Sequence, residues 1–142
     1  MTTTTMTGTV PHRNTLKIRL FAVHNAVLAA IVAWVVEVHL LGISLVTQFG
    51  SSAPRTLPLV QIIAVSGAVS LAGWAVLSFI ERRSGRAAVS WTVLAVAVVF
   101  ASLALPIAAA VSVASMVALI VMHIAVAASY VPFMYRSALR AE

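Results

Sequence analysis

Four long apolar segments, separated by short polar ones, dominate the chain. An α-helix needs about 20 apolar residues to cross the hydrocarbon core of a bilayer. Segments of that length occupy residues 20–46, 59–80, 87–105 and about 110–131. The pattern predicts an all-α protein, a bundle of four transmembrane helices, with Pro106 ending the third helix.

The composition agrees with this architecture. Of 142 residues, 62% are apolar and only 8% are charged, too few to give a soluble globule a hydrated surface. The threonine-rich start lacks apolar periodicity, so residues 1–15 are predicted to be a disordered leader. Residues 16–135 form the membrane domain and residues 136–142 a short tail. The absence of cysteine excludes disulfides and thiolate chemistry.

The basic residues predict the orientation, because Lys and Arg accumulate in cytoplasmic loops. Eight of the nine lie at one side of the predicted bundle: Arg13, Lys17, Arg19, Arg82, Arg83, Arg86, Arg136 and Arg140. Only Arg55 lies in the other long loop. Both termini are therefore expected in the cytoplasm, with the chain in the plasma membrane. The net charge of +6 is split among membrane-edge segments, which indicates attraction to anionic lipid and not to nucleic acid.

Two polar loops have distinct expectations. Residues 47–58, rich in Gly, Ser and Pro, should lie outside, above the first helix, where they are suited to act as a lid. Residues 81–86 form a short cytoplasmic turn in which Glu81 is surrounded by arginines. We expect Glu81 to be a solvated charge.

Glu37 is the one carboxylate inside an apolar segment of membrane-spanning length. Placing a charged side chain there costs about 2.5 to 3.5 kcal/mol on insertion scales, so function is the default hypothesis. Helical spacing puts Glu37 on one face with small residues, namely Ala26, Ala30, Ala33 and Ser44. Small residues let another helix approach closely, so Glu37 should face the bundle interior. The alternative is a neutral carboxyl that only holds helices together.

His123 is the predicted partner of Glu37. It shares a helix face with Met116 and Tyr130, and its height, about 20 Å above Arg136, is compatible with about 27 Å for Glu37 above Arg19. His24 and His39 project from the opposite half of the first helix. The other helices present Ser70, Trp74 and Trp91 at helical spacing. The bundle is therefore expected to enclose a substrate pocket lined by Trp34, Trp74, Trp91, Tyr130, Ser70 and Met116, although each of these has an alternative packing role.

Several chemistries are set aside. The chain has no phosphate-binding loop, no dinucleotide fingerprint and no paired-histidine zinc motif. The histidines of the first helix do not share a phase with Glu37, so neither a metal nor another cofactor is expected.

A lone buried carboxyl suits proton chemistry, because a dry pocket favours the neutral acid, which can donate its proton. In the first reading, Glu37 protonates a lipophilic isoprenoid substrate and indole rings stabilise the resulting cation, making the chain a cyclase with His123 as partner or final base. In the second, Glu37 is the coupling site of a small proton-coupled exporter, which normally requires a homo-oligomer. A third is a non-catalytic membrane subunit with a solidly packed core. The cyclase is favoured.

Three stretches carry a resemblance: RLFAVHNAV, FIERRSGRAAVSWTVLA and VALIVMHIAVAASYVPFMYR. They resemble the small four-span membrane proteins of actinobacteria, most of which have no assigned activity. Some proteins of this kind are membrane-embedded cyclases of indole-linked terpenes. Similarity to them implies the proton-initiated mechanism, with no catalytic motif matched residue by residue.

The orientation is tested by labelling single cysteines in intact cells with a membrane-impermeant thiol reagent. A cysteine at Ser51 should react, because residues 47–58 are predicted outside. A cysteine at Ser84 should not react until the membrane is permeabilised. Labelling of residue 84 in intact cells would reverse the topology.

Overall fold

The computed structural model describes residues 12–142 and contains four helical segments long and apolar enough to cross a membrane. Those segments are Thr15–Leu40, Leu59–Glu81, Ala87–Ala109 and Val113–Leu139. The helices are α1 (His12–Val35), which continues as a π-helical turn (Val36–Leu40), α2 (Leu59–Glu81), α3 (Ala87–Ser102), α4 (Ala104–Ala109) and α5 (Val113–Leu139). Two short strands, β1 (Val46–Thr47) and β2 (Arg55–Thr56), pair antiparallel. The predicted all-α four-span bundle is confirmed.

The first helix begins and ends earlier than predicted. Residues 1–11 of the predicted leader lie outside the described residues, and α1 already starts at His12. At the other end, helical structure stops at Leu40 and not at residue 46. Gly42 follows with a φ of 66°, a left-handed conformation that glycine adopts without steric penalty and that commonly terminates helices. Val46 therefore belongs to β1, and Ser44 does not extend the small-residue face of the helix.

Pro106 does not end the third span. The break falls at Leu103, between α3 and α4, and Pro106 is the third residue of α4. Proline is tolerated there because N–H groups in the first turn of a helix have no helical partner. The fourth span, α5, starts at Val113 after Ser112, whose hydroxyl accepts a hydrogen bond from the Ser115 N–H at 3.1 Å. It continues to Leu139, beyond the predicted end at residue 131.

Helix α1 is the centre of the bundle, packing most extensively on α5 and next on α2. Its inward face carries Ala22, Ala26 and Ala30, all essentially inaccessible. Small side chains allow the helix axes to come close, which is how helices associate in lipid. The predicted inward orientation of this face is confirmed.

The buried apolar residues form two clusters at different heights. The first, here called the Arg19-end cluster, consists of Ala22, Ala26, Leu77, Ala88, Trp91, Tyr130, Met134 and Ala138, with Trp74 packed against it. The second, the Glu37-end cluster, consists of Leu45, Ala118, Leu119 and Met122, with Ala33, Trp34, Val38, Ile43, Leu57 and Ile62 packed against it.

An ion pair joins α1 to α2 at the Arg19 end of the bundle. Arg19 lies inside α1, is 8% exposed, and pairs with Glu81 at the end of α2. Its guanidinium also donates to the hydroxyls of Ser137 on α5, at 3.2 Å, and Ser78 on α2, at 3.4 Å. The prediction that Glu81 is a solvated charge was wrong. A buried guanidinium needs this many acceptors, because removing one partner leaves a desolvated charge uncompensated.

Gly73 allows three helices to meet in the Arg19-end cluster. Its carbonyl accepts a hydrogen bond from the Trp91 indole at 3.0 Å, and the Tyr130 hydroxyl donates to the neighbouring Ser70 carbonyl at 2.5 Å. The rings of Trp91 and Tyr130 pack edge to face with centroids 6.0 Å apart. A Cβ at Gly73 would lie 2.9 Å from the Tyr130 hydroxyl oxygen.

Replacing Gly73 by Ala should therefore destabilise the bundle by about 1 to 3 kcal/mol, the usual cost of overpacking a core. The matched control is Gly67→Ala on the same helix, where the new Cβ meets only Val27 at 3.8 Å. That change should be neutral or stabilising, because alanine favours helix over glycine. Thermal unfolding in detergent measures both; equal Tm values for the two variants would contradict the close contact.

Candidate functional site

Glu37 lies in the π-helical turn at the end of the first span. The Leu41 N–H bonds to the Val36 carbonyl at 2.9 Å, five residues back, and the Ile43 N–H bonds to the Glu37 carbonyl at 2.8 Å. The Glu37 side chain is 4% exposed, so its predicted inward orientation is confirmed. Turns of this kind occur at the C-terminal ends of helices, so the turn by itself does not mark a functional site.

Both carboxyl oxygens of Glu37 are buried, and neither makes a hydrogen bond to any described residue. Buried polar side chains nearly always have a partner, because an unsatisfied one costs a large part of its hydration free energy. Its neighbours along the helix, Ala33, Trp34 and Val38, pack against the apolar Glu37-end cluster. Glu37 is therefore a destabilising residue in this position.

The segment that follows α1 closes the bundle at the Glu37 end. Leu45 is fully buried, and the Ser115 hydroxyl on α5 donates to the Ser44 carbonyl at 2.7 Å. The same hydroxyl accepts from the Val46 N–H at 3.5 Å. The predicted loop 47–58 falls largely within the β1–β2 hairpin, residues 46–56, in which Val46 pairs with Thr56. Main-chain bonds from Gln48 to Ala109 and from Val111 to Val46 join this hairpin to the α4–α5 link.

The predicted pairing of Glu37 with His123 is absent. The His123 Nδ1 lies 2.6 Å from the Leu119 carbonyl on its own helix, and because a carbonyl only accepts, Nδ1 carries the proton. His39 is exposed, and its ring packs edge to face on Trp34 with centroids 5.1 Å apart. Within residues 15–142, no three His, Asp or Glu side chains are arranged to hold a metal ion.

The residues predicted to line one substrate pocket divide between the two ends. Trp74, Trp91 and Tyr130 belong to the Arg19-end cluster, and Ser70 is buried beside them. Trp34 lies at the other end, where its indole donates to the Leu57 carbonyl at 3.3 Å, and Met116 is half-buried on α5. Glu37 is eleven residues beyond Ala26 of the Arg19-end cluster, a rise of about 16 Å.

Two cavities open elsewhere on the molecule. One, of about 320 Å³, lies at the Glu37 end among Gly42, Ile43, Ser44, Val46, Val111, Ser112, Ala114 and Ser115. The other, of about 400 Å³, is an apolar groove between α3 and α5 that includes Val96, Phe100, Ala128 and Pro132. None of the predicted site residues lines either cavity.

Sequence reasoning missed the two groups that hold the ends of the bundle, the Arg19–Glu81 pair and the Ser115 hydroxyl. The only local signal was Ser112 three residues before Ser115, directly ahead of an apolar run, a spacing typical of a helix start.

The model of a protein family of unknown function, DUF6069, matches residues 10–140, which is nearly the whole chain. The chain belongs to the DUF6069 family. No curated protein and no solved structure matches it. The family match covers all four spans of the bundle, but no activity is known for the family. The function of this DUF6069 protein is therefore argued from Glu37.

If Glu37 is kept for a function at the expense of stability, then replacing it by Met should raise the free energy of unfolding, by about 1 to 3 kcal/mol. Methionine has a similar length and needs no hydrogen bond. The matched control is Glu81→Met, which should destabilise because it leaves Arg19 without its carboxylate. Thermal unfolding in detergent gives both signs; a lower Tm for Glu37→Met would show that the carboxyl stabilises the bundle.

Proposed function

We propose that this DUF6069 protein is a small proton-coupled exporter of lipophilic molecules, and that Glu37 binds and releases the coupled proton. The observation that carries the proposal is the carboxyl group of Glu37, buried inside a membrane span with neither oxygen hydrogen-bonded to a described residue. Ionisable groups at such positions commonly mark proton pathways.

The proposed exchange needs only one side chain that alternately binds and releases a proton. In the proposed cycle Glu37 holds the proton while its carboxyl is enclosed in the bundle and releases it when the carboxyl is open to water. A proton taken up from one side and released to the other would drive an exchange with substrate. The proposed orientation places both termini in the cytoplasm and Glu37 near the outer face of the plasma membrane, where protons enter in an exporter.

The separation of Glu37 from the indole rings favours the exporter over the cyclase. A general acid must lie within hydrogen-bonding reach of the atom that it protonates. The Trp91 and Tyr130 rings belong to the same cluster as Ala26, which lies about 16 Å from Glu37 along α1, and their N–H and O–H groups bind main-chain carbonyls. We infer that a reacting double bond held between those rings lies out of reach of the carboxyl. The cyclase, with Glu37 as acid and His123 as its partner, stays a prediction, as does the non-catalytic subunit.

The test uses everted vesicles with an imposed proton gradient and a panel of lipophilic fluorophores, ethidium among them. Wild-type vesicles should accumulate at least one fluorophore in proportion to the gradient, and Glu37→Gln should reduce this to the level of protein-free vesicles. The amide keeps the shape of the side chain but has no proton to exchange. Glu142→Gln is the control, because that exposed side chain still has an oxygen to accept from the Ala88 N–H.

Gradient-driven accumulation that persists in Glu37→Gln would reject Glu37 as the coupling site, and no gradient-driven accumulation in wild-type vesicles would reject the exporter. The same variant also tests the cyclase. If the protein is a cyclase, wild-type membranes incubated with a prenylated indole in deuterated water should yield a deuterated cyclic product, and Glu37→Gln membranes should not. That outcome, without fluorophore transport, would establish the cyclase instead.

A further inference from the structure

Polar side chains in the middle of the spans are satisfied within their own bundle, with few exceptions. The hydroxyls of Ser66, Thr92 and Ser129 donate to carbonyls one turn back on their own helices. His123 does the same through Nδ1. These bonds remove the cost of placing a polar group in hydrocarbon.

His24 and Asn25 are exceptions on the outer surface of α1. His24 is exposed and Asn25 is half-buried, and neither side chain makes a hydrogen bond to another residue within 15–142. Both lie inside the span Thr15–Leu40. His24 is about 8 Å further along the helix than Arg19, whose ion pair with Glu81 marks the end of the bundle. Two adjacent polar side chains directed outward at this depth need hydrogen-bond partners from outside the chain.

The two residues border an apolar ridge. Leu28 and Val32 are each about half exposed and lie along one side of α1, with His24 and Asn25 on the two flanks of that side. Phe21 lies on the same side, but its ring packs edge to face on Phe133 of α5 with centroids 5.2 Å apart. The ridge lies on the far side of the helix from the buried Ala22 and Ala26. We call His24, Asn25, Leu28 and Val32 the α1 ridge. Polar side chains beside such a strip can hydrogen-bond across to another transmembrane helix.

We propose that the α1 ridge is the homodimer interface of this protein, with α1 of a second copy as its partner. The hydrogen-bonding capacity of the two polar side chains favours a second copy as the partner. A neutral imidazole has one donor and one acceptor, and a carboxamide has both as well, so the two side chains can pair with each other. Copies in one membrane share an orientation, and a twofold axis along the membrane normal brings equal heights together. Because His24 and Asn25 lie on opposite flanks of the ridge, His24 of each copy then lies opposite Asn25 of the other copy.

A homodimer would provide the homo-oligomer that the proposed exporter requires. The existence of the interface does not depend on that function. The interface involves the surface of α1 opposite Glu37 and leaves the carboxyl inside each bundle. Dimerisation is therefore measurable separately from proton coupling.

The absence of native cysteine makes crosslinking a clean test. In vesicles at low protein density, Leu28→Cys should form a disulfide-linked dimer on mild oxidation, because the two residues 28 face each other across the axis. The control Val121→Cys, equally exposed but on α5, should not. Absence of a Leu28→Cys dimer, or equal crosslinking of the two variants, would overturn the interface.

The polar contacts are tested by the double change His24→Leu and Asn25→Leu. It should weaken dimerisation, measured by single-molecule photobleaching in vesicles, by about three- to eightfold, the factor supplied by one or two intramembrane hydrogen bonds. His24→Gln keeps a donor and an acceptor and should retain the dimer. An unchanged monomer–dimer equilibrium in the leucine variant, with an unchanged Tm, would overturn the role of these side chains.

Combining the interface with Glu37→Gln distinguishes the two proposals. If the protein dimerises through another surface while gradient-driven transport is intact, the α1 ridge is not the interface and the proposed exporter function still stands. If residue 28 crosslinks efficiently but transport does not depend on Glu37, the proposed exporter function is rejected and the α1 ridge still stands as the interface.

Discussion

The close approach of α1 to α5 is the contact on which the rest of the bundle depends. Lipid tails are as apolar as leucine side chains, so burial from water does not drive helices together within the membrane. Dispersion contacts between closely spaced helices have to do so. Ala22, Ala26 and Ala30 provide that proximity on α1, with Met134 and Ala138 fully buried on α5. Around this pair, α2 and α3 add fewer contacts and expose more of their surface to lipid.

A second constraint, that polar groups in hydrocarbon must be satisfied internally, explains why so few residues of this chain are informative. The hydroxyls of Ser66, Ser102 and Ser129 bond to their own helices, and the Trp91 and Tyr130 donors cross to main-chain carbonyls of α2. Among the residues that the structure describes, Glu37 inside the bundle and His24 with Asn25 on the outer side of α1 have no such partner, and the proposals rest on these three residues.

The sequence was sufficient for the number of spans and for the inward face of α1, because both follow from hydropathy and a 3.6-residue period. It failed at the end of α1, because the residues from Leu41 to Val46 are as apolar as the helix, and extended and helical segments of equal hydropathy look alike. Gly42 was the only local sign of the break.

Helical phase gave the direction of each side chain but not its height relative to other helices, and the candidate site was misjudged for that reason. Trp91 and Tyr130 do face the interior, yet they lie in a different cluster from Trp34. The height assigned to His123 was counted from Arg136, which lies inside α5 and not at its end. The pairing of Arg19 with Glu81 joins residues far apart in sequence, and no local pattern reports such a contact.

That ion pair also has a consequence for the order of assembly. Helix α1 is synthesised well before Glu81, so Arg19 enters the translocation machinery without its counter-charge. Until α2 is complete, hydration by water at the membrane surface is the lower-energy state of the guanidinium, which keeps the N-terminal end of α1 at a surface. When α2 inserts, Glu81 arrives at the same level, and the charge can move into the bundle without losing its compensation. The same arginine is thus a hydrated charge while α1 is alone and a link between helices once α2 is in place.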